Sequence, residues 1–216
     1  MELKGLKIAV LGDSITKGVG ASTPDKIYHQ VLKTIANLKD VFNYGISGTR
    51  IAYQSVPSAD PSYDRHFVTR VDDMESDVDI IVVFGGTNDY GHGDASLGVF
   101  HDHRPDTFYG ALHILLQKLI SKYPDKYIIF MTPLHRIGDA EPSSKPDGKY
   151  ILKDYVNAIC EVAEYYSIPV LNLYAVSGMN PNIEAQYQVY FPDGLHPSDK
   201  GHERIAQKLE SFLKTL

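Results

Sequence analysis

What this chain has little of narrows its function first. One cysteine, Cys160, occurs in 216 residues, so no internal disulfide can form and nothing calls for an oxidising compartment. Block-like runs of Lys or Arg are missing and the net charge is −6, which argues against nucleic acid or an anionic membrane as a partner. No apolar run approaches the roughly 18 residues that span a bilayer. Residues 1–5 lead into a strand pattern without the charged and apolar regions of a signal peptide. The expectation is a soluble, cytoplasmic protein with no stable membrane insertion. Repeats, low-complexity tracts and Pro/Ser linkers are also missing, and the length suits one well-packed domain over 1–216.

What is present is an alternation of two periodicities. Short apolar runs at 7–11, 40–44, 78–84, 127–132 and 169–173 read as strands. The near-continuous Ile80-Ile81-Val82-Val83-Phe84 suits a parallel strand covered on both faces. Between the runs, apolar residues recur at helical spacing: Ile27, Val31, Ile35 and Leu38; Phe108, Ala111, Leu112, Leu115, Leu116 and Leu119. Further on come Leu152, Tyr155, Val156, Ile159 and Val162, then Ile205, Leu209, Phe212, Leu213 and Leu216 behind a Pro-Ser-Asp start signal. Strand–helix alternation of this kind predicts an α/β sandwich with a mostly parallel sheet. Cys160 falls on one of the helical stripes and reads as a small core residue.

Four short elements stand where such a sheet binds ligands, beyond the carboxyl ends of its strands. Gly12-Asp13-Ser14-Ile15 follows the first run and Gly45-Ile46-Ser47-Gly48 the second. Gly86-Thr87-Asn88-Asp89 follows the third, and Asp193-Gly194-Leu195-His196-Pro197 precedes the last helix. Each is weak alone, since Gly-Asp-Ser also reads as a helix cap and Asp-Gly-Leu-His-Pro as an ordinary turn. Together they supply a hydroxyl, a base with a carboxylate to orient it, a glycine that lets backbone approach closely, and an amide donor. Those are the parts of nucleophilic acyl transfer.

The set resembles the SGNH hydrolase superfamily, the GDSL lipase/esterase family, whose blocks are named for Ser, Gly, Asn and His. The likeness spans essentially the whole chain, with Ile15 where the family motif has Leu. It implies a three-layer α/β/α sandwich with a five-stranded parallel sheet in flavodoxin-like order. It implies Ser14 as nucleophile, His196 as base and Asp193 as its orienting acid, with an oxyanion hole from Ser14 N–H, Gly48 N–H and the Asn88 side chain. No cofactor is expected.

Two other readings compete. A flavodoxin-like phosphate or nucleotide module would use residues 14–20 as a cradle, yet the full glycine-rich phosphate motifs are missing, with only Gly18-Val19-Gly20 present. A metal site would draw on His101, His103, His196 and His202, but His101 and His103 sit in a polar stretch beside Asp102 and Arg104. The loops at 53–67, 90–107 and 133–149 are long enough to shape a pocket. Tyr90, His92 and His135 are the candidates for substrate contact, with Arg136 beside them. Such polar loops, without an apolar lid, favour a small-molecule substrate: a short-acyl (acetyl) ester, plausibly of a carbohydrate. Lysophospholipids and thioesters are the alternatives within the family. The loop at 90–107 is expected to set substrate choice without supplying the triad, and Gly91, Gly93 and Gly98 are points at which such a segment can flex.

Overall fold

The computed structural model describes residues 1–145 and 148–216; Pro146 and Asp147, inside the third long loop, lie outside the described residues. Its sheet has five strands: β1 (Lys7–Gly12), β2 (Asp40–Gly45), β3 (Ile80–Phe84), β4 (Tyr127–Met131) and β5 (Val170–Leu171). All pair in parallel, in the order β2-β1-β3-β4-β5. The helices are α1 (Ser14–Lys17), α2 (Tyr28–Ile35), α3 (Phe67–Arg70), α4 (Thr87–Gly91), α5 (Phe108–Lys122), α6 (Leu152–Tyr165), α7 (Leu173–Val176), α8 (Glu184–Tyr190) and α9 (Asp199–Leu213). This is the parallel α/β arrangement that the alternation predicts, in the flavodoxin-like order that the family resemblance implies.

Alternate residues of the central strands face opposite layers. Ala9, Leu11, Ile81, Val83, Ile128 and Phe130 pack with α5 and α6 on one side. Ile8, Val10, Ile80, Val82, Ile129 and Met131 pack with α2 and α9 on the other. Burial on both faces is why these strands are continuously apolar, each such side chain contributing roughly 1.5–3 kcal/mol relative to exposure.

The helical stripes of α5 and α6 are buried as their spacing implies. In α2 the phase differs. Ile35 is exposed, whereas Tyr28 and Leu32 are fully buried and the Tyr28 hydroxyl pairs with Thr16 Oγ1 at 2.9 Å. A polar-tipped aromatic with a partner for its hydroxyl therefore took the core position that the aliphatic spacing assigned to Ile35. Leu216, at the end of the last stripe, is exposed as well. Cys160 is half-buried instead of in the core, with Asn172 Nδ2 near its sulfur (3.8 Å).

Register decides where function can gather. Gly12 lies opposite both Gly45 of β2 and Phe84 of β3. The three strands thus end level, and the segments carrying Ser14, Gly48 and Asn88 leave the sheet side by side. The approach is tight: a Cβ on Gly45 would come within 2.2 Å of the Lys17 backbone nitrogen.

Candidate active site

Ser14 opens α1, and Asp13 caps that helix by accepting from Ile15 N–H at 3.0 Å. A first-turn N–H such as that of Ser14 has no acceptor within its helix. Asp13 is buried, and burial pushes its carboxyl up to about 6; the Ile15 N–H, His196 and Arg70 pull the other way.

His196 reaches this serine from the far end of the chain. Ser14 Oγ stands 2.9 Å from His196 Nε2, and His196 Nδ1 stands 2.6 Å from Asp193 Oδ2. A carboxylate only accepts, so Nδ1–H donates to Asp193 and Nε2 is left to accept the serine proton. The other oxygen, Asp193 Oδ1, accepts from the backbone N–H groups of Leu195 (2.9 Å) and His196 (2.7 Å). Partial burial pushes the Asp193 carboxyl up, but the bonds from His196 and these N–H groups outweigh it and hold it below the usual carboxylate range.

The two ends of the chain are stitched together beside this contact. Ser22 donates from N–H and Oγ to Asp199 (2.7 and 2.6 Å), and Tyr28 N–H donates to His202 Nδ1 (3.3 Å). Gly20 lies under Pro197, where a Cβ would come within 2.2 Å of the carbonyl oxygen. Gly20 is thus the seat of the His196 turn, which is a different use from a phosphate cradle.

Gly48 has φ +74°, a conformation that favours glycine, and a Cβ there would press within 2.6 Å of the Tyr63 ring. Asn88, on α4, is buried, and its Nδ2 donates to Thr49 O at 2.9 Å. Ser14, Gly48, Asn88 and His196 line one cleft of about 320 Å³. Val19, Tyr63 and Leu195 give it apolar surface, and Ser47, His92 and Arg136 give it polar surface.

Of the expected substrate contacts, His92 is on this wall. Tyr90 and His135 are not among the lining residues. The Tyr90 ring is buried against Tyr155, and its hydroxyl donates to the carbonyls of Gly138 (2.9 Å) and Glu141 (3.0 Å). His135 turns to Asp139, with Nδ1 2.6 Å from Oδ2, and stacks on Tyr174 at 3.8 Å between centroids. The loop at 90–107 is anchored at several points. Asn88 to Gly91 are helical, Ala95 and Leu97 are buried, and Ser96 bridges to Thr107.

Several contributors escaped sequence reading. Tyr63 reaches the cleft from a 3₁₀ turn, Pro61–Asp64, in the loop at 53–67. Arg50 is buried and ties that turn to His92: Nη1 lies 2.6 Å from His92 Nδ1, and Nη2 donates to Tyr63 O and to Asp64 Oδ1, both at 3.2 Å. Arg70, also buried, donates to Gly12 O (3.1 Å), to Tyr44 O and to Thr49 Oγ1 (3.0 Å), holding the ends of β1 and β2. Neither arginine belongs to a motif, so only their burial marks them.

The other histidines of the competing metal reading do not converge on one site. His101 and His103 are exposed, and His202 is buried in α9. Among the described residues no group of three or more His, Cys, Asp or Glu could hold a metal ion. No helix of the described residues is long and apolar enough to cross a membrane.

Comparison with known proteins gives the family. No curated protein matches the chain. Among solved structures, a protein from Lactobacillus plantarum is 37% identical, with a TM-score of 0.85, over 99% of this chain and 98% of that one. A member of the lipolytic protein G-D-S-L family from Veillonella parvula is 18% identical (TM-score 0.64; 97% and 99% covered). A two-domain esterase active on acetylated mannans is 20% identical (TM-score 0.67; 99% and 49% covered). The family model described as GDSL-like Lipase/Acylhydrolase matches residues 10–204. With nearly the whole chain covered by that model, the protein belongs to the GDSL-like lipase/acylhydrolase family and is an ester-bond hydrolase.

Proposed function

We propose that this chain is a serine esterase, one domain over 1–216, that cleaves small short-acyl esters through an acyl-enzyme. The observation that carries the reading is the chain of contacts from Ser14 Oγ to His196 Nε2 (2.9 Å) and from His196 Nδ1 to Asp193 Oδ2 (2.6 Å) at the wall of a cleft. In this scheme Ser14 Oγ attacks the ester carbonyl carbon while its proton passes to His196 Nε2, and Asp193 stabilises the imidazolium that forms. The charge developing on the carbonyl oxygen is met by Ser14 N–H, Gly48 N–H and the Asn88 Nδ2–H not engaged by Thr49. His196 gives its proton to the departing alkoxide. Water then repeats the sequence on the acyl-serine, releasing the acid.

The cleft's size and mixed lining support an acetyl or similarly short acyl group over a long chain. The esterase active on acetylated mannans shares the fold with this chain and acts on acetylated carbohydrate. An acetylated carbohydrate is therefore the substrate class we favour. The test is a fluorophosphonate probe followed by peptide mapping, then a series of esters from acetate to dodecanoate. Stoichiometric labelling at Ser14 and rates that fall beyond butyrate are expected. Labelling elsewhere, or rates that rise towards long chains, would overturn the reading.

A further inference from the structure

Beside the nucleophile, two side chains of the cleft wall have hydrogen-bond donors to offer a ligand. Arg136 follows β4 and is half-buried. Its Nη1 donates to Thr87 O at 3.2 Å, with Thr87 Oγ1 at 3.4 Å, and the guanidinium lies 5.5 Å from the centroid of the Tyr90 ring. That occupies one corner of a five-donor fork. For Nε–H and the two N–H of Nη2, no protein acceptor is found among the described residues, and neither atom is sealed from solvent.

The carboxylates near Arg136 are engaged elsewhere. Asp139 accepts from His135 Nδ1 and Asn182 Nδ2, and it meets Arg136 only through the backbone N–H at 3.4 Å. Asp193 is bound to His196. Asp139, Asp13 and Asp193 act on the Arg136 charge from farther off, but among the described residues no carboxylate oxygen lies within 4 Å of its guanidinium. A partly desolvated guanidinium usually has such a partner, because its charge is otherwise uncompensated.

His92 adds a second donor on the same wall. Arg50 can only donate, so His92 Nδ1 must accept, and the ring proton sits on Nε2. Burial, reinforced by Arg50, Arg136 and Lys145, lowers the His92 imidazole to about 4, so the ring is neutral at pH 7 with a fixed Nε2–H. A sugar hydroxyl would satisfy one such donor but leave Arg136 without a direct ionic partner. An anionic oxygen group answers both.

Building on the serine-esterase reading, we propose that Arg136 and His92 form an anion-recognising subsite and that the preferred ester carries a carboxylate or phosphate a few atoms from its scissile carbonyl. Arg50 is a positioning residue in this scheme, since it acts through the His92 tautomer.

Matched ester pairs test it at pH 7 and low salt. Monoethyl succinate against monoethyl succinamate places the anion on the acyl side. O-acetylglycolate against O-acetylglycolamide places it on the alcohol side, and 1-acetylglycerol 3-phosphate against 1-acetylglycerol offers phosphate. In at least one pair, kcat/KM for the charged ester should exceed that for the neutral one by about tenfold or more. Arg136→Gln should bring that ratio close to one, and Arg136→Lys, with charge but no fork, should keep part of it. Reading a ratio cancels any general loss of activity in the variants. Ratios near one in every wild-type pair, or a ratio unchanged by Arg136→Gln, would overturn the subsite. Should the protein hydrolyse none of the six and Ser14 resist the phosphonate, the esterase reading fails separately. Calorimetric binding of the same pairs then decides the subsite: tighter binding of a charged member that Arg136→Gln abolishes upholds it, and equal binding overturns it.

Discussion

Asn88 Nδ2 donates to the carbonyl oxygen of Thr49 at 2.9 Å, joining residues 39 positions apart. The contact is reinforced on both sides. Asp89, next along α4, accepts from the N–H groups of Ile51 and Ala52 at 2.9–3.1 Å. Thr49 Oγ1 donates to Ile46 O (2.7 Å) and accepts from Arg70 (3.0 Å). The loop that carries Gly48 is thereby clamped to the helix that carries Asn88. Donors held this way do not reorganise as charge develops, which is the condition for strong oxyanion stabilisation.

Asn88→Ala is therefore expected to lower kcat by roughly 10²–10³ with little change in KM, because in the proposed scheme the amide matters most once the carbonyl oxygen is charged. Steady-state kinetics on an acetate ester measure this. A raised KM at constant kcat would make Asn88 a ground-state contact instead.

If Ser14 and His196 are nucleophile and base as proposed, Ser14→Ala and His196→Ala should each reduce kcat by about 10⁴–10⁶, because the two act as a unit. Ser14→Ala removes a single hydroxyl at the cleft wall, so its unfolding midpoint should match that of the wild type. Retention of more than a tenth of wild-type activity by either variant would refute the assignment.

Arg70→Met should destabilise the protein by roughly 2–4 kcal/mol, because the carbonyls of Gly12 and Tyr44 and the Thr49 hydroxyl lose their shared buried donor. Urea unfolding reports the stability, and kcat should fall too as the Gly48 loop loosens. Unchanged values of both would mean that water replaces the guanidinium without cost.

The Asp13 carboxyl carries a pH dependence of known sign. Its native value, raised by burial to about 6 from an ordinary 3.8, means the folded protein holds that proton more tightly than the unfolded chain. The associated stability is present below pH 3.8 and is lost as pH rises through about 6, a change on the order of 1–3 kcal/mol. Asp13→Asn keeps an acceptor for Ile15 N–H and removes the titration. Unfolding of both proteins at pH 4 and pH 7 should show the variant gaining on the wild type at the higher pH. Parallel pH dependences would contradict this.

The strands and the long helices were legible because their signals are local. Five apolar runs and the stripes of α5 and α6 need only neighbouring residues to be recognised, and the four blocks fall at the ends of elements that such runs define. Where local signals compete, reading fails. Ile35 and Tyr28 both offer apolar surface to the core, and the choice went to Tyr28 because Thr16, on another helix, supplies its hydroxyl with a partner. The half-burial of Cys160 is a similar case, decided by which neighbours cover the edge of α6.

By itself, then, the sequence determined the parallel α/β architecture and the order in which Ser14, Gly48, Asn88 and His196 follow it, since periodicity and short motifs act over a few residues. The tertiary structure alone decided which side chains face the cleft. Tyr90 and His135 turn away because Gly138, Glu141 and Asp139 offer their polar atoms better partners. Tyr63 and Arg136 come in from loops whose positions depend on Arg50 and on the Thr87 carbonyl. Those contacts join residues up to 51 positions apart. The direction of a loop side chain is set by such distant partners, and no periodicity in its own segment records them.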